Sequence, residues 1–190
     1  MSRAYRICIS ESVERHIHVS DGVLARLELL EVLPAAEMGE LLAIELGSRG
    51  FERRDEVMTR IDQDGVEIAI AVAGADTGTV TVRLARERDV DIRVERSRQT
   101  YGEQAEAERA TLQKEVEHAI DRRECSARAT LSAEVTAVLE RTLRDLRREI
   151  GQVESRVTAA ALKTRAAQLG EIKEISEDPE TGSLTIKVKV

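Results

Sequence analysis

Aromatic side chains are almost missing from this sequence. Tyr5, Phe51 and Tyr101 make up the 2% that is aromatic, and there is no tryptophan. A core must therefore come from Val, Ile, Leu and Ala. Stacking platforms for bases or sugars are too few for a single-strand nucleic-acid module. Cysteine is nearly as scarce. Cys8 and Cys125 stand far apart, so no disulfide framework is implied and a reducing cytoplasm is expected. No apolar run approaches the length of a membrane span, and the first ten residues, MSRAYRICIS, carry too short an apolar stretch for a signal peptide. Prolines number only two, Pro34 and Pro179.

Charge of one sign is also lacking where a nucleic-acid or membrane partner would need it. The net charge is −7 over 190 residues. Residues 1–102 hold 14 basic and 19 acidic groups, residues 103–169 hold 12 of each, and residues 170–190 hold 3 and 5. No segment is a basic footprint for DNA or an anionic membrane. Expected partners are therefore proteins, with no membrane, and nucleic acid is disfavoured.

What is present is an architecture. Residues 103–169 run without proline and with one glycine, Gly151, and are rich in Ala, Leu, Glu and Arg. The flanks read as strands and turns, so the fold class is α+β. Residues 1–102 form a β-rich head with one helix, residues 103–169 a long helical arm, and residues 170–190 a terminal β-hairpin. The hairpin alternates Leu184, Ile186 and Val188 with Thr185 and Lys187 after a turn at Asp178–Gly182. A lone hairpin is marginal in water, so it is expected to pack on a sheet of the head.

In the head, alternation marks strands at Tyr5–Ser10 and Arg15–Val19. Ser20-Asp21-Gly22 reads as a turn, and Val23–Val32 as a third strand. Pro34 starts a helix with Met38, Leu41, Leu42 and Leu46 on its apolar face, ended by Gly47 and Gly50. Strands follow over 51–61 and 66–73, separated by Asp62-Gln63-Asp64-Gly65, and then over 79–86 and 90–95. The helix–Gly–strand–turn–strand order around Gly50 returns around Gly170, which suggests that the end of the arm packs on a sheet as the first helix does.

The arm carries an apolar ladder. Leu139, Leu143, Leu146, Ile150, Val153, Val157 and Ala160 are spaced 4, 3, 4, 3, 4, 3, a heptad seam expected to carry association as a coiled coil. Upstream, Leu112, Val116, Ile120, Ala127, Leu131 and Val135 are mostly four apart, which drifts from such a seam. Asp121–Ser126 interrupts the ladder. The arm either continues there or folds back as a helical hairpin. Leu143→Asp with Ile150→Asp is expected to dissociate or unfold it, read by light scattering and circular dichroism.

Few residues suggest chemistry. His16 and His18 share a strand face, as two metal ligands would, with Glu14 beside them. No further Cys or His completes a set, so they read as surface histidines, and zinc is expected to leave the Tm unchanged. Asp62-Gln63-Asp64-Gly65 opens like a calcium loop. It has Glu67 where a glycine is needed and Ala73 where a bidentate glutamate is needed. Gly74–Gly78 has no lysine and no following helix for a phosphate loop. Cys125 reads as a small packed residue. Arg141, Arg144, Arg147 and Arg148 interleave with Glu140, Asp145 and Glu149, a solvated or partner-pairing flank. No catalytic residue, metal site or cofactor is expected, and the chain reads as a non-enzyme.

The tail, Leu169-Gly170-Glu171-Ile172 with Asp178-Pro179-Glu180-Thr181-Gly182-Ser183-Leu184-Thr185-Ile186, and the helix–Gly–strand run at Leu41–Ile70 resemble the small accessory proteins of bacterial FtsH ternary systems, encoded beside AAA+ ATPases. That resemblance implies a non-catalytic partner of an AAA+ ATPase and carries over no site residues. The expectation is a cytoplasmic interaction or adaptor protein that self-associates as a homo-oligomer, or docks in a hetero-complex, through its arm. A structural stalk or spacer subunit and a nucleic-acid accessory factor using Arg141–Arg148 are the alternatives.

Overall fold

The computed structural model describes residues 4–101, 104–177 and 184–189. The elements in order are β1 (Ala4–Arg26), α1 (Ala35–Ser48), β2 (Glu52–Arg54), β3 (Val57–Ile61), β4 (Glu67–Ala71), β5 (Thr79–Tyr101), α2 (Ala105–Leu169), β6 (Glu171–Glu177) and β7 (Leu184–Lys189). A five-stranded sheet has the order β1-β5-β4-β3-β2, and β6 and β7 form a separate two-stranded sheet. The β2–β3, β3–β4, β4–β5 and β6–β7 pairs are antiparallel. This is an α+β fold.

Two of the strands are far longer than the sequence suggests. β1 runs for 23 residues through Ser20-Asp21-Gly22, where a turn was expected. Gly22 is a glycine of close approach instead: a Cβ there would lie 2.8 Å from the carbonyl oxygen of Val82. Residues 27–32, expected to belong to a strand over Val23–Val32, lie instead in the loop that precedes α1. β5 likewise runs 23 residues, because Arg88-Asp89 does not break it. Asp89 has a partner on β1 that holds it in the ladder, His16 at 2.7 Å.

α2 is helical throughout, including residues 121–126. Ala, Leu, Glu and Arg are strong helix formers, and the polar gap in the ladder needs no bend. Buried positions pass from Ile120 to Leu131, and between them Arg15 and Arg128 pair with Glu124 at 3.0 and 3.7 Å. Among the described residues, β6 and β7 pair with each other and not with the larger sheet. Its register shifts between Ile172 and Glu174, so that Ile172 pairs with Val188 and Ile175 with Ile186 despite a spacing of three. The hairpin turn expected at Asp178–Gly182 lies outside the described residues.

The chain divides into two units. The first joins Met1–Asp21 with Ala85–Ala137. Here β1 and β5 make a ribbon with α2 on one side. Ile92, Val94, Val116, Ala119 and Ile120 form a core, with Ile9, Val13 and Val90 partly covered against it. Alternation decides this, since side chains two apart share a sheet face. Arginines on the ribbon reach α2 around that core: Arg88 pairs with Glu134 at 2.6 Å, and Arg98 with Glu108 and Glu115 at 2.8 and 2.7 Å.

The second unit joins Gly22–Leu84 with Val138–Val190. Val66, Ile68, Ile70, Val72, Val80, Val82 and Leu84 are buried in it, as are Met38, Leu42, Ala43 and Leu46 of α1. The expected apolar face of α1 is thus mostly observed, with Ile44 at its margin 69% exposed. α1 ends in a Schellman turn. Gly50 takes φ +82°, its N–H donates to Gly47, and the N–H of Phe51 donates back to Leu46 at 3.2 Å. Phe51 is then buried beneath the helix end. A side chain at Gly50 would have to adopt a left-handed backbone, so Gly50→Ala is expected to cost about 1 kcal/mol in a denaturant melt.

Candidate interaction surfaces

The seven seam positions of α2 lie against the chain's own second unit. Leu139, Leu146, Val153 and Val157 are buried, and Leu143, Ile150 and Ala160 are half-buried. Polar bonds run along the same stretch. Glu154 accepts from the backbone N–H of Glu28 at 2.8 Å, Arg49 donates to Gln152 at 3.3 Å, and Arg156 reaches Glu45 at 3.4 Å. A coiled-coil seam and a helix packed on its own chain use the same apolar stripe, so spacing alone does not distinguish them.

The firmest of these attachments is Arg60 on β3. Its guanidinium forks onto Glu149 with two bonds of 2.8 Å. It also donates to the carbonyl of Arg49 at 3.1 Å and lies 4.4 Å from the centre of the Phe51 ring. Asp62 sits 3.3 Å from Nε, too poorly aimed for a hydrogen bond. The hydrogen bonds from Arg60 hold the Glu149 carboxyl below its ordinary value, against the opposing effect of burial. Beside this pair is a cavity of about 300 Å3 that also touches Asp64, Arg141 and Asp145. No sequence signal connects residues 89 positions apart, so the pair was not foreseen.

The arginine flank is exposed. Arg141, Arg144, Arg147 and Arg148 all face solvent. Arg141 lies 3.9 Å from Asp64, and Arg144 donates to the backbone carbonyl of Glu140, one turn back. With Glu149 turned inward to Arg60, the outward face here is more basic than the sequence suggests.

His16 and His18 do share the outer face of the β1–β5 ribbon. His16 Nδ1 lies 2.7 Å from Asp89 and Nε2 lies 3.6 Å from Glu87, while His18 Nδ1 lies 3.1 Å from Glu87. The same face carries Arg6–Ser97, Cys8–Glu95 and Ser12–Asp91 bonds. Among the described residues no group of three or more His, Cys, Asp or Glu is placed to hold a metal ion. The Asp89 bond pushes His16 above the ordinary histidine value of 6.5. A raised value favours the protonated ribbon. Its stabilisation is complete below 6.5 and is lost as the pH climbs through the raised value. His16→Gln is therefore expected to lower Tm at acid pH and leave it unchanged in alkali, measured by thermal melts across that range.

The two cysteines are free and exposed. The bond to Glu95 raises Cys8, away from thiolate reactivity. Cys125, expected to be packed, instead faces outward on α2. Among the described residues no helix is long and apolar enough to cross a membrane.

Comparison with known proteins adds one finding. The profile of a family described as FtsH ternary system domain X5 matches residues 1–190. Neither curated proteins nor solved structures give a match. The match spans the head, α2 and the tail alike, and the chain belongs to the FtsH ternary system domain X5 family.

Proposed function

We propose that this chain is a non-enzymatic, cytoplasmic adaptor of an FtsH ternary system, docking onto the system's AAA+ partner through the exposed face of α2. The observation that carries this reading is the family match over the whole chain. The surface chemistry agrees with it. Glu40, Glu134 and Glu149 are tied to arginines at 2.6–2.8 Å and are not poised for proton transfer. Docking through Arg141–Arg148 is favoured over a self-paired coiled coil, because the seam side chains are already covered within the second unit. The test is co-purification of the intact chain with the FtsH-type ATPase at low and moderate salt. Capture that weakens with salt and with Arg144→Glu plus Arg148→Glu supports the reading. Equal capture by an unrelated AAA+ ATPase overturns it.

A further inference from the structure

We infer that the outer edge of β1 pairs antiparallel with β1 of a second copy, about a twofold axis through Val13. Three observations carry this. First, β1 is the end strand of its sheet, with β5 on one side and no strand on the other among the described residues. Edge strands are normally blunted by proline, by charged side chains or by a bulge. From Ala4 to Asp21, β1 has no proline, lysine or glycine, and the charges between Ile7 and Val19 on its apolar face, Glu11 and Arg15, are of opposite sign.

Second, its apolar stripe is left unfinished. On β5, Ile92 and Val94 are 2% and 3% exposed. On β1, Ile17 is as well covered at 1%, but Ile7, Ile9, Val13 and Val19 on the same face are only half-buried. A further strand beside them would complete the cover that α2 begins.

Third, the sequence is complementary to itself about Val13. Antiparallel pairing there sets Ile9 against Ile17 and Val13 against its own copy. It also sets Glu11 against Arg15, twice by symmetry, and Ile7 against Val19. Shifting by two residues in either direction places Arg15 or Glu11 opposite an apolar side chain, so the charges fix the register. Arg15 pairs with Glu124 through Nε at 3.0 Å, and its side chain stays 45% exposed. The corresponding stretch of β5 lacks this property. Centred on Ile92, it would oppose Arg88 to Arg96. Arg123 of α2 also already bonds the backbone carbonyl of Arg93.

The test uses the full chain. Sedimentation of the wild type should show a concentration-dependent dimer. Glu11→Arg sets like charges opposite each other twice and should weaken dimerisation about tenfold, as should Arg15→Glu. Mixing these two variants should restore the dimer as a heterodimer. The two substituted side chains then face each other with opposite charge, and the unchanged Arg15 of one copy faces the unchanged Glu11 of the other. A fold defect could not be repaired by mixing. In a Cys8→Ser, Cys125→Ser background, Val13→Cys should cross-link to itself, since directly paired residues lie about 4.5–5.5 Å apart, within disulfide range. Ile9→Cys, about 26 Å from its own copy in this register, should not. A wild type that stays monomeric at every concentration overturns the inference. So does equal cross-linking at positions 9 and 13, or a mixture of the charge variants no more dimeric than either alone.

Discussion

Gly39→Ala should destabilise the second unit by about 2 kcal/mol, lowering Tm by roughly 5 °C. The sign is what makes this informative. Gly39 lies inside α1, where helix propensity alone would have alanine stabilise by about 1 kcal/mol. But a Cβ built on Gly39 falls 2.0 Å from the backbone carbonyl oxygen of Val72. That oxygen belongs to main chain held by a hydrogen bond, the N–H of Val72 donating to Glu56 at 2.8 Å. Neither side can yield without moving α1 off the sheet. Steric overlap therefore outweighs propensity. Gly47→Ala, in the same helix but with only the tip of Met58 4.0 Å from a built Cβ, is the control. It should be neutral or mildly stabilising. A rise in Tm for Gly39→Ala would mean that α1 does not lie this close to Val72.

Removing Arg60 should cost about as much. Arg60→Met and Glu149→Gln are each expected to lose about 2 kcal/mol, the usual range for hydrogen bonds to charged groups. The double variant should lose less than the sum, because each single change leaves a half-covered charge behind. The pair fastens β3 to α2 within the second unit, so its loss should appear as reduced helicity at lower denaturant. The pH dependence has a definite sign. Glu149 is held below its ordinary value of 4.5, so its stabilisation is present above that value and disappears as the pH falls through the lowered one. The gap between wild type and Glu149→Gln should therefore close in acid. Additive single-variant losses and a pH-independent gap would together show that the fork does not hold in solution.

Much of the architecture was legible in the sequence, for physical reasons. Composition marked α2 because 65 residues without proline and rich in helix formers have few other conformations. Alternation places Ile68, Ile70 and Val72 on one strand face, and all three are buried. Strand ends were less legible. Ser20-Asp21-Gly22 has the residues of a turn, and only the nearness of Val82 shows that Gly22 serves a close approach. The Leu139–Ala160 stripe was found, but whether it meets a second helix or the chain's own core depends on tertiary partners that spacing does not encode. Arg60, the residue that ties that stripe down most firmly, was invisible because its partner lies 89 positions away.

Central to the proposed function is a division of α2: its outward face docks an AAA+ partner while its inward face is committed to the chain's own core. Hydrogen exchange on the intact chain, alone and with saturating FtsH-type ATPase, tests both halves together. Alone, the amides around Leu146–Val157 should already be strongly protected, because their helix is fastened by buried side chains. With the partner, added protection should centre on Arg141–Arg148. Protection that is weak without the partner, or that gains nothing there when the partner is added, would contradict the claim.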